Sequence, residues 1–303
     1  MKNINVTANK GKFLLLPLLV ILAGIIMFFV NSNAKDSGFN YDIEFMGGVR
    51  MQVEMENAFD NEEVSAFLEE KLGISPVIVQ AGSGTTATIK TQPIDDAQKD
   101  LIFTSLKEKY ALTSEAPMSV NSASASFGKE VQGKAFLYTL IAILLILVYI
   151  AFRFEWRSAV MAVLALALNI LVMMAVYAIT YTPLNTTFIA AMLTIVGYSI
   201  NNTIVVFDRI RENMRGFKAK KGGARVSDIV NRSINESMGR TLNTTITTLI
   251  TVVLLYVLGV PSIKEFAFPL IVGVIAGAYS SIFVASPFWA AWKEADQEGA
   301  NHK

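Results

Sequence analysis

The sequence predicts a polytopic α-helical membrane protein, with six transmembrane helices and a small α+β domain between the first and second. Three observations carry that prediction. Of the 303 residues, 53% are hydrophobic and only 17% charged, where a soluble domain carries roughly a quarter charged. The apolar residues gather in runs of roughly 18 to 25, the length that crosses about 30 Å of hydrocarbon. The long stretch 35–131 is instead polar and shows the short periods of strands and small helices.

The first apolar run is Phe13–Val30, preceded by Lys2, Lys10 and Lys12. Ser32-Asn33-Ala34 resembles a signal-peptide cleavage site. The apolar core exceeds the usual signal length and five more spans follow, so a retained helix is expected. The others are expected near Ala135–Phe152, Ala159–Thr180, Leu184–Phe207, Leu242–Val260 and Phe266–Trp292. This divides the chain into 1–34 (N-terminus and first helix), 35–131 (inserted domain), 132–292 (helices two to six) and a tail, 293–303.

Basic residues in short loops set orientation. The loop Asp208–Arg240 holds nine Lys or Arg against four Asp or Glu, and Arg153 and Arg157 flank the turn after span two. Both loops and both termini are therefore expected in the cytoplasm, with 35–131 on the other side of the membrane. That outer stretch carries eight basic and sixteen acidic residues.

Within it, Val49, Met51, Val53 and Met55 alternate with Arg50, Gln52 and Glu54, the period of a half-buried strand. Asp60 and Glu63 form a capping box for a helix ending near Gly73. Strands are expected at Val77–Val79 and Ala87–Ile89, joined at Gly82-Ser83-Gly84. Asp95 and Gln98 cap a helix running to about Tyr110, and a last strand lies near Met118–Phe127. The order β-α-β-β-α-β is ferredoxin-like. Gly82–Thr86 lacks the Lys and the strand-to-helix setting of a phosphate loop, so a hairpin turn is expected there.

Several chemistries are excluded early. There is no Cys, hence no disulfide and no thiolate metal site. The single His, His302, lies beside the C-terminus. Neither a metal centre nor a cofactor is expected, and the chain reads as a non-enzyme. The basic stretch Arg215–Arg225 fits the positive-inside pattern and not nucleic-acid binding.

The polar residues inside the spans are the candidate site. Thr194, Tyr198 and Asn202 recur at i, i+4, i+8 and share a helix face. Asn243, Thr247 and Thr251 repeat that spacing in span five, Asn169 is a lone amide in span three, and Asn201 adjoins Asn202. Such stripes form a shared polar track or interhelical hydrogen bonds. Asp208, Arg209, Arg211 and Glu212 cap span four, where the arginines suit anionic lipid headgroups. Gly273 and Gly277 make a G-x-x-x-G for close helix packing.

Three motifs carry a family resemblance: Glu44-Phe45-Met46-Gly47-Gly48 after span one, Phe152-Arg153-Phe154-Glu155-Trp156-Arg157 after span two, and Gly197–Met214 in span four. The chain resembles the SecD/SecF family of protein-export membrane subunits, each half of an RND-type transporter. The resemblance implies a SecD partner, the SecY-SecE-SecG translocon, YidC/YajC-type accessory proteins, membrane lipids and an exported preprotein. It implies help in late-stage export driven by the proton-motive force. An RND-type exporter of small molecules or lipids, and a structural subunit without energy coupling, are the alternatives. Glu44 stands where that family has Asp, and Gly47 and Gly48 permit close backbone approach. Family chains show Asn-Asp-Ser/Thr where this one has Asn201-Asn202-Thr203, and His-Asp where it has Leu168-Asn169. An amide does not titrate near neutral pH, and spans three to five contain no Asp or Glu. A titrating carboxylate is therefore expected in the SecD partner; a Na⁺ site with amide oxygens ranks lower.

Overall fold

The structure, a computed structural model, describes residues 5–35, 37–74, 76–81, 84–153, 155–219 and 225–301. Gly82, Ser83, Phe154, residues 220–224 of the basic loop and His302 lie outside them. The chain forms two compact units. Tyr41–Leu137 with Pro183–Thr186 make an α/β unit; Met1–Asn40, Tyr138–Thr182 and Thr187–Lys303 make a helical unit.

Helix α1 (Lys10–Ala34) precedes the α/β unit, which opens with a short α2 (Ile43–Met46). There follow β1 (Gly48–Glu54), α3 (Asn61–Leu72), β2 (Val77–Ala81), β3 (Thr86–Thr91), α4 (Asp96–Tyr110) and β4 (Ser119–Ala123). The four strands pair antiparallel in the order β2-β3-β1-β4. Alternation in β1 does what period two requires. Met51 and Val53 are buried opposite Ile89 and Ala87 of β3, while Arg50, Gln52 and Glu54 are half-exposed. Val64 and Leu68 of α3 and Ile102 and Leu106 of α4 close that core from the helix side.

The helix ends follow their cap residues. Asp95 and Gln98 form the expected reciprocal box at α4. At α3 the expectation is corrected: the Asp60 side chain accepts from the Glu62 N–H, and Glu63 does not complete a box. Gly73 ends α3 in the left-handed region, at φ 63°, where a Cβ is unfavourable. The last strand stops at Ala123, and Phe127 already lies in α5 (Ala125–Arg153).

The helical unit is built from α1, α5 from Tyr138 onward, α6 (Trp156–Thr180), α7 (Thr186–Ala219, its first residue in the α/β unit), α8 (Val226–Leu258), α9 (Pro261–Ser280) and α10 (Ser286–Asn301). A π-helical turn, Ser281–Ala285, joins the last two without a break. Among the described residues, five helices are long and apolar enough to cross a membrane, and Leu137–Phe152 is a shorter apolar helix. Among the described residues the expected second span is thus the weakest by length.

Small residues let these helices approach. A Cβ added at Gly24 of α1 would lie 2.4 Å from Ala175 of α6, so the two backbones touch there. Asn31 Nδ2 donates to the Ala178 carbonyl at 2.8 Å across the same pair. The segment before α1 is anchored as well. Val6 is fully buried, and Asn231 Oδ1 accepts from the backbone N–H groups of Val6 and Thr7 at 2.9 and 3.0 Å. The outward faces of α1 and α8 remain apolar, with Leu22, Phe29, Ile250 and Val257 about half exposed or more. A bilayer or a partner helix satisfies such faces; water does not.

Candidate functional site

The signature segment Gly197–Met214 lies wholly within α7. Its inner face is fixed by the two glycines of α9. An added Cβ would come within 2.5 Å of Ile195 at Gly273 and 3.0 Å of Ser199 at Gly277. The G-x-x-x-G motif therefore seats α9 directly against α7.

That close approach brings short polar side chains together in an apolar interior. Asn169 Nδ2 of α6 donates to Ser199 Oγ at 2.7 Å, both residues being buried. Thr203 and Ser281 share a hydroxyl–hydroxyl bond of 2.7 Å, and Ser281 reaches the carbonyls of Gly277 at 2.8 Å and Ser199 at 3.4 Å. The π-turn begins at this serine, and Ser286 Oγ donates back to the Ser281 carbonyl five residues earlier. A π-turn shifts the ladder by one residue and needs such substitute partners.

Asn202 sits one residue away from this cluster and is 2% exposed. Its Nδ2 has no acceptor among the described residues, and neither the Tyr198 hydroxyl nor Thr241 and Thr245 Oγ1 of α8 has a partner there. A neutral amide can be held in such a place; an ionised carboxylate would need a cation or a proton.

The remaining expected residues divide clearly. Thr194 and Asn201 are exposed, and Thr194 Oγ1 turns back to the Ala190 carbonyl. Asn243 and Thr247 are exposed too, with Thr247 bonded to the Asn243 and Thr244 carbonyls. The buried polar face of α8 is instead Ser233, Ser237, Thr241 and Thr245. Ser199 and Thr203, four residues apart on α7, complete the buried cluster with Ser281, which no spacing in the sequence links to them. Ser199, one helix turn before Asn202, was the clue the sequence offered, and no hydroxyl residue stands one turn from Asn169.

At the far end of α7, Asp208 is exposed. Arg209, which the sequence suits to headgroups, is held by two carboxylates of its own unit. Its Nε pairs with Glu236 at 2.7 Å and a second nitrogen with Glu212 at 2.6 Å. Arg232 also holds Glu236, at 2.8 Å. Arg211 is half-buried.

In the α/β unit, Phe45 is buried, and Gly47 and Gly48 take φ of 80° and 136°. A Cβ at Gly48 would stand 2.1 Å from the Thr91 carbonyl oxygen, so glycine is required there. Glu44 accepts both the N–H and the hydroxyl of Thr186, at 2.8 and 2.5 Å. The neighbouring Asp42 is fully buried, between Lys90 Nζ at 2.8 Å and Arg50 at 3.1 Å.

A bundle of membrane-length helices interrupted by a four-stranded α/β insert after the first defines a polytopic membrane protein with one inserted unit. The family model for the protein export membrane protein SecD/SecF, C-terminal, matches residues 103–295. The chain is 35% identical over 292 residues to the protein translocase subunit SecF of Alicyclobacillus acidocaldarius, covering 95% of this chain and 92% of that one. It is 33% identical over 290 residues to the translocase subunit SecDF of Bacillus subtilis, of which it covers 38%. Among solved structures, SecDF from Thermus thermophilus, described as a translocon-associated membrane protein, superposes with TM-score 0.82 at 33% identity, over 96% of this chain and 39% of that one. The chain belongs to the SecD/SecF family, and it spans about two fifths of the SecDF chains it matches.

Proposed function

We propose that this chain is the SecF-type accessory subunit of a Sec protein translocase, acting with SecD to promote late-stage export of preproteins across a prokaryotic cytoplasmic membrane. The observation that carries the reading is the match of 95–96% of this chain to SecF and to part of SecDF. Where SecDF is one polypeptide, the sequence like this chain is covalently joined to its companion, which supports SecD as the partner. The SecY-SecE-SecG translocon, YidC/YajC-type proteins and the emerging preprotein follow as further partners on the same reading.

Six crossings, with Leu137–Phe152 as the short second one, place both termini in the cytoplasm by the basic loops. The inserted unit then lies outside. Its β-α-β-β-α-β order and antiparallel 2-3-1-4 sheet support a ferredoxin-like fold. The buried cluster around Asn169, Ser199 and Asn202 is neutral, so coupling to the proton-motive force requires a titrating carboxylate from SecD. Here this chain supplies the opposing polar helices.

The test is reconstitution. SecD co-purifies with the chain, and adding both to vesicles that hold SecY-SecE-SecG raises preprotein export over the translocon alone. Failure of SecD to co-purify, together with efflux of a small amphiphile by the chain itself, would support the exporter reading instead.

A further inference from the structure

Helices α1, α6 and α9 leave a cavity of about 270 Å3 between them, wholly within the helical unit. Its walls are aliphatic, with Val20 of α1, Val172 and Val176 of α6 and Ala276 of α9. Leu16 and Ile275, also in the lining, are 55% and 53% exposed and form its rim. Leu16 and Val20 sit inside the apolar run of α1, so the rim faces hydrocarbon where that helix crosses a bilayer.

One wall of the cavity is fixed by a proline. Pro17 has no N–H, which frees the Phe13 carbonyl one turn earlier in α1. The Tyr279 hydroxyl of α9 donates to that carbonyl at 2.7 Å. Phe283 packs against both rings, with centroids 4.6 Å from Phe13 and 5.0 Å from Tyr279. Pro17 and Tyr279 both line the cavity, so this bond holds two of its sides together. The other polar side chains of the lining are engaged as well. Asn169 Nδ2 donates to Ser199 Oγ, and Ser280 Oγ donates to the Gly277 carbonyl at 3.2 Å. Water needs several polar partners, whereas an apolar cavity of about 150 Å3 stays dry and takes up benzene. The space between these helices is larger than that and calls for an apolar occupant. A helix, roughly 10 Å across or more with its side chains, is too wide for it.

We propose that this cavity binds one acyl chain of a membrane phospholipid. The chain enters between Leu16 and Ile275, packs on Val172 and Val176, and lies against Asn169. It thereby keeps water from the Asn169–Ser199 bond of the buried polar cluster. The headgroup stays outside the site and contributes nothing to it. The proposal rests on the chain being a membrane protein and not on its role in export.

The test is photolabelling of the full chain in phosphatidylcholine vesicles, the lipid carrying a diazirine midway along one acyl chain. Mass spectrometry maps the adducts. Val172 and Val176, both half-buried, label at least as strongly as the exposed Leu22 of α1. Ala276→Phe fills the cavity and lowers the label at both valines about fivefold, with Leu22 unchanged. Ala276→Leu is milder, lowers it about twofold, and decides the matter where the larger ring hinders folding. Label at the valines far below that at Leu22, or unchanged in Ala276→Leu, overturns the proposal. Label that disappears when SecD is bound to the chain overturns it too, and assigns the cavity to a side chain of that partner.

Discussion

The two units bury polar groups by opposite means. The α/β unit encloses a full charge, Asp42, and surrounds it with two cations that are themselves nearly covered, Arg50 and Lys90 at 15% and 11% side-chain exposure. The helical unit encloses amides and hydroxyls, Asn169, Ser199, Asn202, Thr203 and Ser281, with no ionised group among them. Water can complete the shell around the charges of the first. Hydrocarbon offers nothing to the second, so the groups enclosed there are neutral, and one unpartnered among the described residues, Asn202 Nδ2, is less costly than a charge would be. The difference teaches where each unit is brittle. One depends on a few strong interactions that fail together, the other on several weak ones that fail singly.

The largest expected effect follows from breaking the charge set. Asp42→Asn leaves two cations crowded without their anion, and costs about 3–5 kcal/mol by analogy with broken buried pairs. Hydrogen exchange of the β1 and β3 amides in the full chain reads this directly. Protection in those strands equal to the parent's would mean the triad is not a keystone. Gly48→Ala is next, at about 1–3 kcal/mol, because a Cβ must enter 2.1 Å from the Thr91 oxygen at a φ that only glycine adopts readily. The same exchange experiment checks it, and the loss should again be confined to the β1–β3 pair.

In the helical unit the expected costs are smaller. Asn169→Leu removes one interhelical bond to Ser199, worth about 0.5–2 kcal/mol. Thermal unfolding in detergent should show a modest downward shift. A collapse as large as that of Asp42→Asn would erase the contrast between the units. The smallest effect is a pH dependence. Glu56 is held below the usual carboxylate range by the Thr113 hydroxyl, then by the Thr113 N–H, at 2.6 and 2.7 Å. A depressed carboxyl contributes stability above its unfolded value and loses it as the pH falls through its folded one. Glu56→Gln should therefore differ from the parent at neutral pH and converge with it in acid.

Much of this contrast was legible in the sequence, and the parts that were not have physical causes. Period-two alternation in β1 places Met51 and Val53 in the core, because one face of that sheet is covered. Gly273 and Gly277 foretell a close contact, though not that Ile195 and Ser199 would fill it. The buried face of α8 escaped spacing arguments, since Thr241 and Thr245 repeat at the same interval as Asn243 and Thr247. Periodicity finds a stripe but cannot choose between two stripes rotated around one helix. The Asp42 triad and the Arg209–Glu236 pair were invisible for another reason. Their partners lie 8 to 48 residues apart in sequence, and only the folded register brings them together.

The central claim is that the membrane interior of this chain does not titrate and that the partner supplies the carboxylate. The direct measurement is preprotein export in vesicles containing the chain, SecD and SecY-SecE-SecG, with ATP fixed and the imposed proton gradient varied. It is run with parent SecD and with SecD whose membrane carboxylates are changed to amides. The account predicts acceleration by the gradient in the first and none in the second. Acceleration that survives in the second would place a proton relay within this chain and contradict the account.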